Sequence, residues 1–130
     1  MVNEAVIVFA HGARDPAWAE PLQRICGALR QRRPALRVEL AFLELMSPSI
    51  GEAVDSLAAE GVVRITVVPA FMAEGGHLKR DLPILIEAAR QRHPELSMSV
   101  VPAMGMSDQV IGAIADYAAA AADTTRQSAD

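Results

Sequence analysis

Two stretches of this sequence are nearly continuous in Val and Ile over the length of a strand: residues 5–10, AVIVFA, and residues 63–69, VRITVVP. Successive strand side chains point to opposite faces, so a half-buried strand alternates apolar and polar residues. A run without that alternation needs cover on both faces. These runs therefore predict two central strands between layers of helix. Two shorter runs, residues 38–43 and 98–101, predict a second pair of strands. The segments between them carry apolar residues at helical spacing: Trp18, Leu22, Ile25, Cys26 and Leu29; Ile50, Val54, Leu57 and Ala58; Leu85, Ala88 and Ala89. Asp15 before Pro16, Ser47 before Pro48, and Asp81 read as helix starts; Gly61, Pro34 and Pro94 read as stops. A fourth helix is expected from near Ser107 through the alanine-rich residues 113–122, with 123–130 a frayed polar tail. The alternating order predicts an α/β fold, a three-layer doubly wound sandwich on a four-stranded parallel sheet. The expected strand order is 2-1-3-4, in a single domain over residues 1–122.

Composition narrows the partners. No apolar stretch approaches the roughly 20 residues of a membrane span, and Glu4, with no basic segment before the first run, does not suit a signal peptide. A soluble, cytoplasmic protein is expected. A net charge of −4 and 4% aromatic residues argue against a nucleic-acid surface. The lone Cys26 has no partner for an internal disulfide and reads as a buried structural thiol. Small molecules, ions or another protein chain remain. A faint internal echo is also present: Arg30-Gln31-Arg32, followed by Pro34 and Leu36, recurs as Arg90-Gln91-Arg92, Pro94 and Leu96. Either a β-α unit is duplicated or helix ends simply favour basic residues and then Pro.

In open α/β sheets ligands bind outside the carboxyl ends of the strands. His11-Gly12-Ala13-Arg14-Asp15-Pro16 follows the first strand, Glu44 the second and Gly75-Gly76-His77 the third. Adjacent strands lie about 4.8 Å apart, so His11 and His77 can reach a common point above the sheet edge. Imidazole and carboxylate bind first-row divalent metals and titrate near neutral pH, which suits metal delivery or proton removal. Each residue also has a plainer role to set beside this one. His11 can bond a backbone carbonyl, His77 can punctuate a turn, and Glu44 can be a solvated loop acid. His93 reads as a charge partner at a helix end and Asp15 as a helix cap. Lys79, Arg80 and Asp81 are either a solvated face or the border that holds substrate carboxylates; Met72, Met104 and Met106 are either core filler or a soft surface for a flat apolar ligand. A dinucleotide site fails, since the first strand is not followed by G-x-G-x-x-G. A flavodoxin-type phosphate loop lacks its hydroxyl residues, and Ala10 stands where a phosphohistidine motif needs Arg.

The segments VIVFAHGARDP, AFLELMSPSI, ITVVPAFMAEGGHLKRDLP and VVPAMG, in that order and at these spacings, resemble the short class II chelatases, the sirohydrochlorin cobaltochelatases. The resemblance spans nearly the whole chain except the tail. It implies half of a two-lobed chelatase, completed as a homodimer that holds the macrocycle in a cleft. His11 and His77 match the family's metal-site histidines, and Glu44 an assisting acid. The implied reaction inserts a divalent ion, Co²⁺ or Fe²⁺, with Ni²⁺ a further candidate, into sirohydrochlorin with no nucleotide cofactor. On that reading Gly12, Gly75 and Gly76 let the ring approach, Met72 faces it, and Arg14, Lys79 and Arg80 meet its carboxylates. Two positions depart from the family pattern: Ala13 stands where Ser is frequent after His-Gly, and Met106-Ser107-Asp108 where a His-Pro pair is frequent. A non-catalytic metal or tetrapyrrole carrier would share the histidines without needing Glu44.

Overall fold

The computed structural model describes residues 3–129. Four parallel strands, β1 (Glu4–Ala10), β2 (Arg37–Phe42), β3 (Arg64–Pro69) and β4 (Ser97–Val100), lie in the order β2-β1-β3-β4. They alternate with α1 (Glu20–Arg32), α2 (Ile50–Ala59), α3 (Gly76–Arg92) and α4 (Asp108–Ala129). The expected sheet and its order are both present. In β1, Ile7, Val8, Phe9 and Ala10 are all buried, because Ile7 and Phe9 pack beneath α2 and α3 while Val8 packs with Cys26 of α1. That two-sided cover is what the unbroken apolar run required.

Helix boundaries depart from the sequence reading in three places. The α2 cap is Ser49, not Ser47: its hydroxyl accepts from the Glu52 N–H, and the Glu52 carboxylate accepts from the Ser49 N–H, a reciprocal capping box. Asp81 caps nothing. α3 already begins at Gly76, with Gly75 as N-cap and Pro83 inside the helix. Burial of Leu78 and Leu82 on the inner side of this first part overrides the local cost of the proline. At the C-terminus, residues 123–129 continue α4, where a frayed tail was expected; Asp130 lies outside the described residues. The α1 stripe is also shifted. Ala19, Leu22, Cys26 and Leu29 turn inward, while Trp18 and Ile25 are exposed. Ile25 sits one residue, about 100° of helix, from Cys26 and falls off the stripe.

The echo between the two halves has a structural counterpart. Arg30 Nη2 donates to the Val38 carbonyl and Arg90 Nη2 to the Met98 carbonyl, each at 2.8 Å. The N–H of Arg33 bonds the Leu29 carbonyl and that of His93 the Ala89 carbonyl, and both of these helix-ending residues have nearly the same dihedrals. The basic residue at each helix end thus ties the helix back to the strand it leads into. The repeat is one of βαβ units, beyond any general taste for cations at helix termini.

His93 bonds across to α2. Its Nε2 lies 2.6 Å from Asp55 Oδ1, and Arg92 Nη2 lies 3.1 Å from the same oxygen. Hydrogen bonding from His93, and secondarily from Arg92, holds the Asp55 carboxyl below its ordinary range. A depressed folded-state value means stability that is present above the unfolded carboxylate pKa and lost as pH falls through the folded one. Asp55→Asn is expected to cost up to about 1 kcal/mol at pH 7, since the Asp55 carboxylate is about half exposed to solvent. The difference from wild type should shrink toward pH 3; urea unfolding at both pH values checks this.

Candidate functional site

The carboxyl ends of β1 and β2 are joined by backbone. The Leu43 N–H donates to the Ala10 carbonyl (2.8 Å) and the Glu44 N–H to the His11 carbonyl (3.1 Å). Gly12 makes this approach possible. Its φ is +102°, and a Cβ there would stand 1.8 Å from the Glu44 carbonyl oxygen. Glu44 is held in turn by a tight reversal in which Leu45 takes a left-handed φ of 67° and the Met46 N–H bonds the Glu44 carbonyl. Leu45 is a non-glycine residue in a conformation that favours glycine, the kind of backbone strain that the surrounding bonds must hold in place.

This lacing places the Glu44 carboxylate 3.0 Å from His11 Nε2, with both side chains about half exposed. The edge of the His11 ring meets Phe71, which packs in turn on Phe9. The contact sets an imidazole nitrogen beside a carboxylate oxygen, the two donor types that first-row divalent metals accept. Among the described residues Nδ1 of His11 makes no hydrogen bond.

His77 stands apart from this pair. It occupies the second position of α3, exposed and without a hydrogen bond or ion pair among the described residues. No group of three metal-ligating side chains forms among the described residues, so the common point expected for His11, Glu44 and His77 is met by the first two only. Gly75 and Gly76 precede His77 with no conformational need for glycine: neither has a positive φ, and a Cβ on either would meet nothing within 4 Å. The chain itself does not require their bareness, and it leaves open space above the first turn of α3.

Leu45, Met72 and Met106 lie around the same edge and are 60%, 66% and 61% exposed. The two methionines are therefore not core filler. Arg14 and Arg80 are exposed, and Lys79 is exposed and lines two hollows of about 680 Å³ each, both shared with Glu74 and Val100 between α3 and β4. Neither hollow includes His11, Glu44 or His77. Three residues went unread in the sequence. Phe71 supports His11, Glu74 accepts from the Ala103 N–H (3.3 Å), and Gly105 presses on the backbone of Met72, where a Cβ would lie 1.8 Å from the carbonyl oxygen. Phe71 had a signal: it stands just past β3, and β3 neighbours β1.

The imidazole–carboxylate pair on the carboxyl edge of this parallel sheet offers donor types that divalent cations accept. The CbiX family model matches residues 5–121, and the chain belongs to that family. It is 38% identical over 82 residues to a sirohydrochlorin cobaltochelatase of Methanopyrus kandleri, covering 63% of this chain and 57% of the relative. The chain thus spans less than two thirds of the length of that curated relative. Among solved structures, a CbiX protein from Marinobacter aquaeolei VT8 superposes with a TM-score of 0.83 at 27% identity, covering 93% of this chain and 98% of that one. The sirohydrochlorin chelatase SirB from Bacillus subtilis subspecies spizizenii, solved in complex with cobalt, gives 0.76 at 26% identity, with 89% of this chain matched to 49% of SirB.

Replacing Gly12 by Ala forces a disfavoured conformation worth about 1–3 kcal/mol and drives a methyl into the Glu44 carbonyl. A lowered urea midpoint is expected, together with a disturbed environment for His11 in NMR spectra. An unchanged midpoint would remove this contact as the element that positions Glu44.

Proposed function

We propose that this chain is one half of a sirohydrochlorin chelatase, and that two copies together insert a divalent metal into the tetrapyrrole without nucleotide hydrolysis. The observation that carries the reading is the His11–Glu44 pair on the carboxyl edge of a CbiX-family sheet. The name of the Methanopyrus relative and the cobalt complex of SirB support Co²⁺ as the ion inserted. Fe²⁺ is accepted by the same nitrogen and oxygen donors, as is Ni²⁺. That one copy matches about half of SirB supports a pair of copies as the working unit.

The ion is a substrate, so it must be held and then released. His11 would bind it through a ring nitrogen with the Glu44 carboxylate beside it, and His77, without a partner among the described residues, would supply a second nitrogen from α3. Few protein ligands and open positions leave the metal able to pass to the four ring nitrogens, unlike a closed structural site. As it enters, two pyrrole N–H protons must leave. Glu44, beside His11 and half exposed, would accept one and pass it to solvent. The ring would lie over Gly75 and Gly76, against Met72 and near Gly12, with Arg14, Lys79 and Arg80 meeting its carboxylates.

The absorbance change of sirohydrochlorin on addition of Co²⁺ tests this directly. His11→Ala and His77→Ala should each lose more than the roughly 10–100-fold that removal of an outer-shell partner costs, whereas Glu44→Gln should fall within that range. Gly76→Leu should keep its unfolding midpoint yet lose activity, because the added side chain meets only open space in the protein. Full activity in His77→Ala would overturn its role, and binding without insertion by the wild type would leave a carrier.

A further inference from the structure

One residue beside the site is costly to the chain in two ways. The Met46 N–H bonds the Glu44 carbonyl two residues back, so Leu45 is the centre of a three-residue turn. Its φ of 67° makes this the rare and strained hand of that turn, which glycine adopts without penalty. The Leu45 side chain is also 60% exposed, so an apolar surface faces water. Neither cost is offset inside the chain. Among the described residues Leu45 joins no core cluster, whereas the flanking Leu43 and Met46 do: Leu43 packs on the cluster beneath α2 and α3, and Met46 on that of Ala19 and Phe42. The loop is therefore anchored without it.

The turn itself has a use, since it holds Glu44 where Gly12 and His11 meet it. A glycine at position 45 would serve that turn as well or better, so what the leucine adds is its side chain. Its place on the sheet says what that side chain can meet. Leu45 follows β2, Met72 follows β3 and Met106 follows β4, and the three are 60%, 66% and 61% exposed. The Gly105 N–H donates to the Phe71 carbonyl, which fixes the 104–106 turn that carries Met106 and from which the exposed α4 departs. From β2 to β4 in the order β2-β1-β3-β4 is three strand spacings, about 14 Å. A flat four-pyrrole ring has that breadth. His11, which follows β1 and pairs with Glu44, lies within the span, between the outer apolar supports.

We propose that Leu45 is a ring-binding residue: its side chain supports the face of the tetrapyrrole on the β2 side of the His11–Glu44 pair, with Met106 as the support on the β4 side. The inference rests on the chelatase reading above and adds a contact that seats the ring over the metal-binding groups. The strain of the turn is then a cost carried by the free chain for a surface that the ring covers. Leu45 carries no group that could bind the metal or move a proton. Its loss therefore weakens ring binding in the ground state and during insertion alike, which raises KM and spares kcat.

Leu45→Gly separates the strain from the contact. Its urea midpoint is expected at or above that of wild type, and its mass by sedimentation unchanged. Binding of metal-free sirohydrochlorin, followed by the fluorescence of the ring, should weaken roughly ten- to a hundredfold, the range of one buried leucine. The KM for the ring in Co²⁺ insertion should rise in step, with kcat held within about threefold. Leu45→Met, which restores apolar bulk, should recover most of the affinity. Ring binding by Leu45→Gly equal to that of wild type, or by Leu45→Met as weak as that of Leu45→Gly, overturns the assignment while the chelatase stands. So does a lowered midpoint or an altered mass in Leu45→Gly, since the side chain would then serve the fold or the pairing of copies. A wild type that binds no ring overturns both readings. A wild type that binds the ring through Leu45 but inserts no metal strikes the chelatase reading alone.

Discussion

β1 carries an unbroken apolar run buried on both faces by helices of its own chain, and the order of the sheet follows from that. A strand so apolar cannot sit at an edge without exposing a row of Val, Ile and Phe to water. Placed centrally, it takes β2 on one side and β3 on the other. Its carboxyl end then comes within a strand's spacing of two loops. His11 inherits neighbours from both: Glu44 past β2 and Phe71 past β3.

The loops approach one another backbone to backbone, which explains why two glycines matter for their smallness. Gly12 lets the first loop touch the second at Glu44, and Gly105 lets the fourth touch the third at Met72. The glycine lies on opposite partners of the two contacts. Each contact also sets a direction: the first aims a carboxylate at an imidazole, the second aims a whole helix away from the domain. Gly75 and Gly76 are glycines of another kind, since nothing in the chain would object to a side chain there. On the proposed function their bareness serves the approach of the ring to the first turn of α3.

Much of this was legible in the residues. The unbroken runs marked the central strands, and the residues following each run marked the edge on which chemistry could gather. The echo of Arg30 in Arg90 was visible too, but only the matching bonds to Val38 and Met98 distinguish a repeated unit from a common helix ending. The misread starts have a shared cause. Ser47-Pro48 and Asp81-Leu82-Pro83 both look like caps because a proline follows, yet Ser49 has the better reciprocal partner in Glu52, and buried Leu78 extends α3 back past Asp81. Local signals were outvoted by packing that no window of sequence contains.

What the sequence by itself determined is the architecture and the chemistry available on it: which strands are central, where the helices alternate with them, and which residue types follow the carboxyl end of each strand. Periodicity and residue type carry that information because burial selects side chains locally. Only the tertiary structure decided that Glu44 meets His11 while His77 stands off, and that α4 leaves the sheet it follows. Those outcomes depend on how closely two backbones can pass, at Gly12 and at Gly105. Such approaches join residues distant in the chain and leave no periodic trace within it.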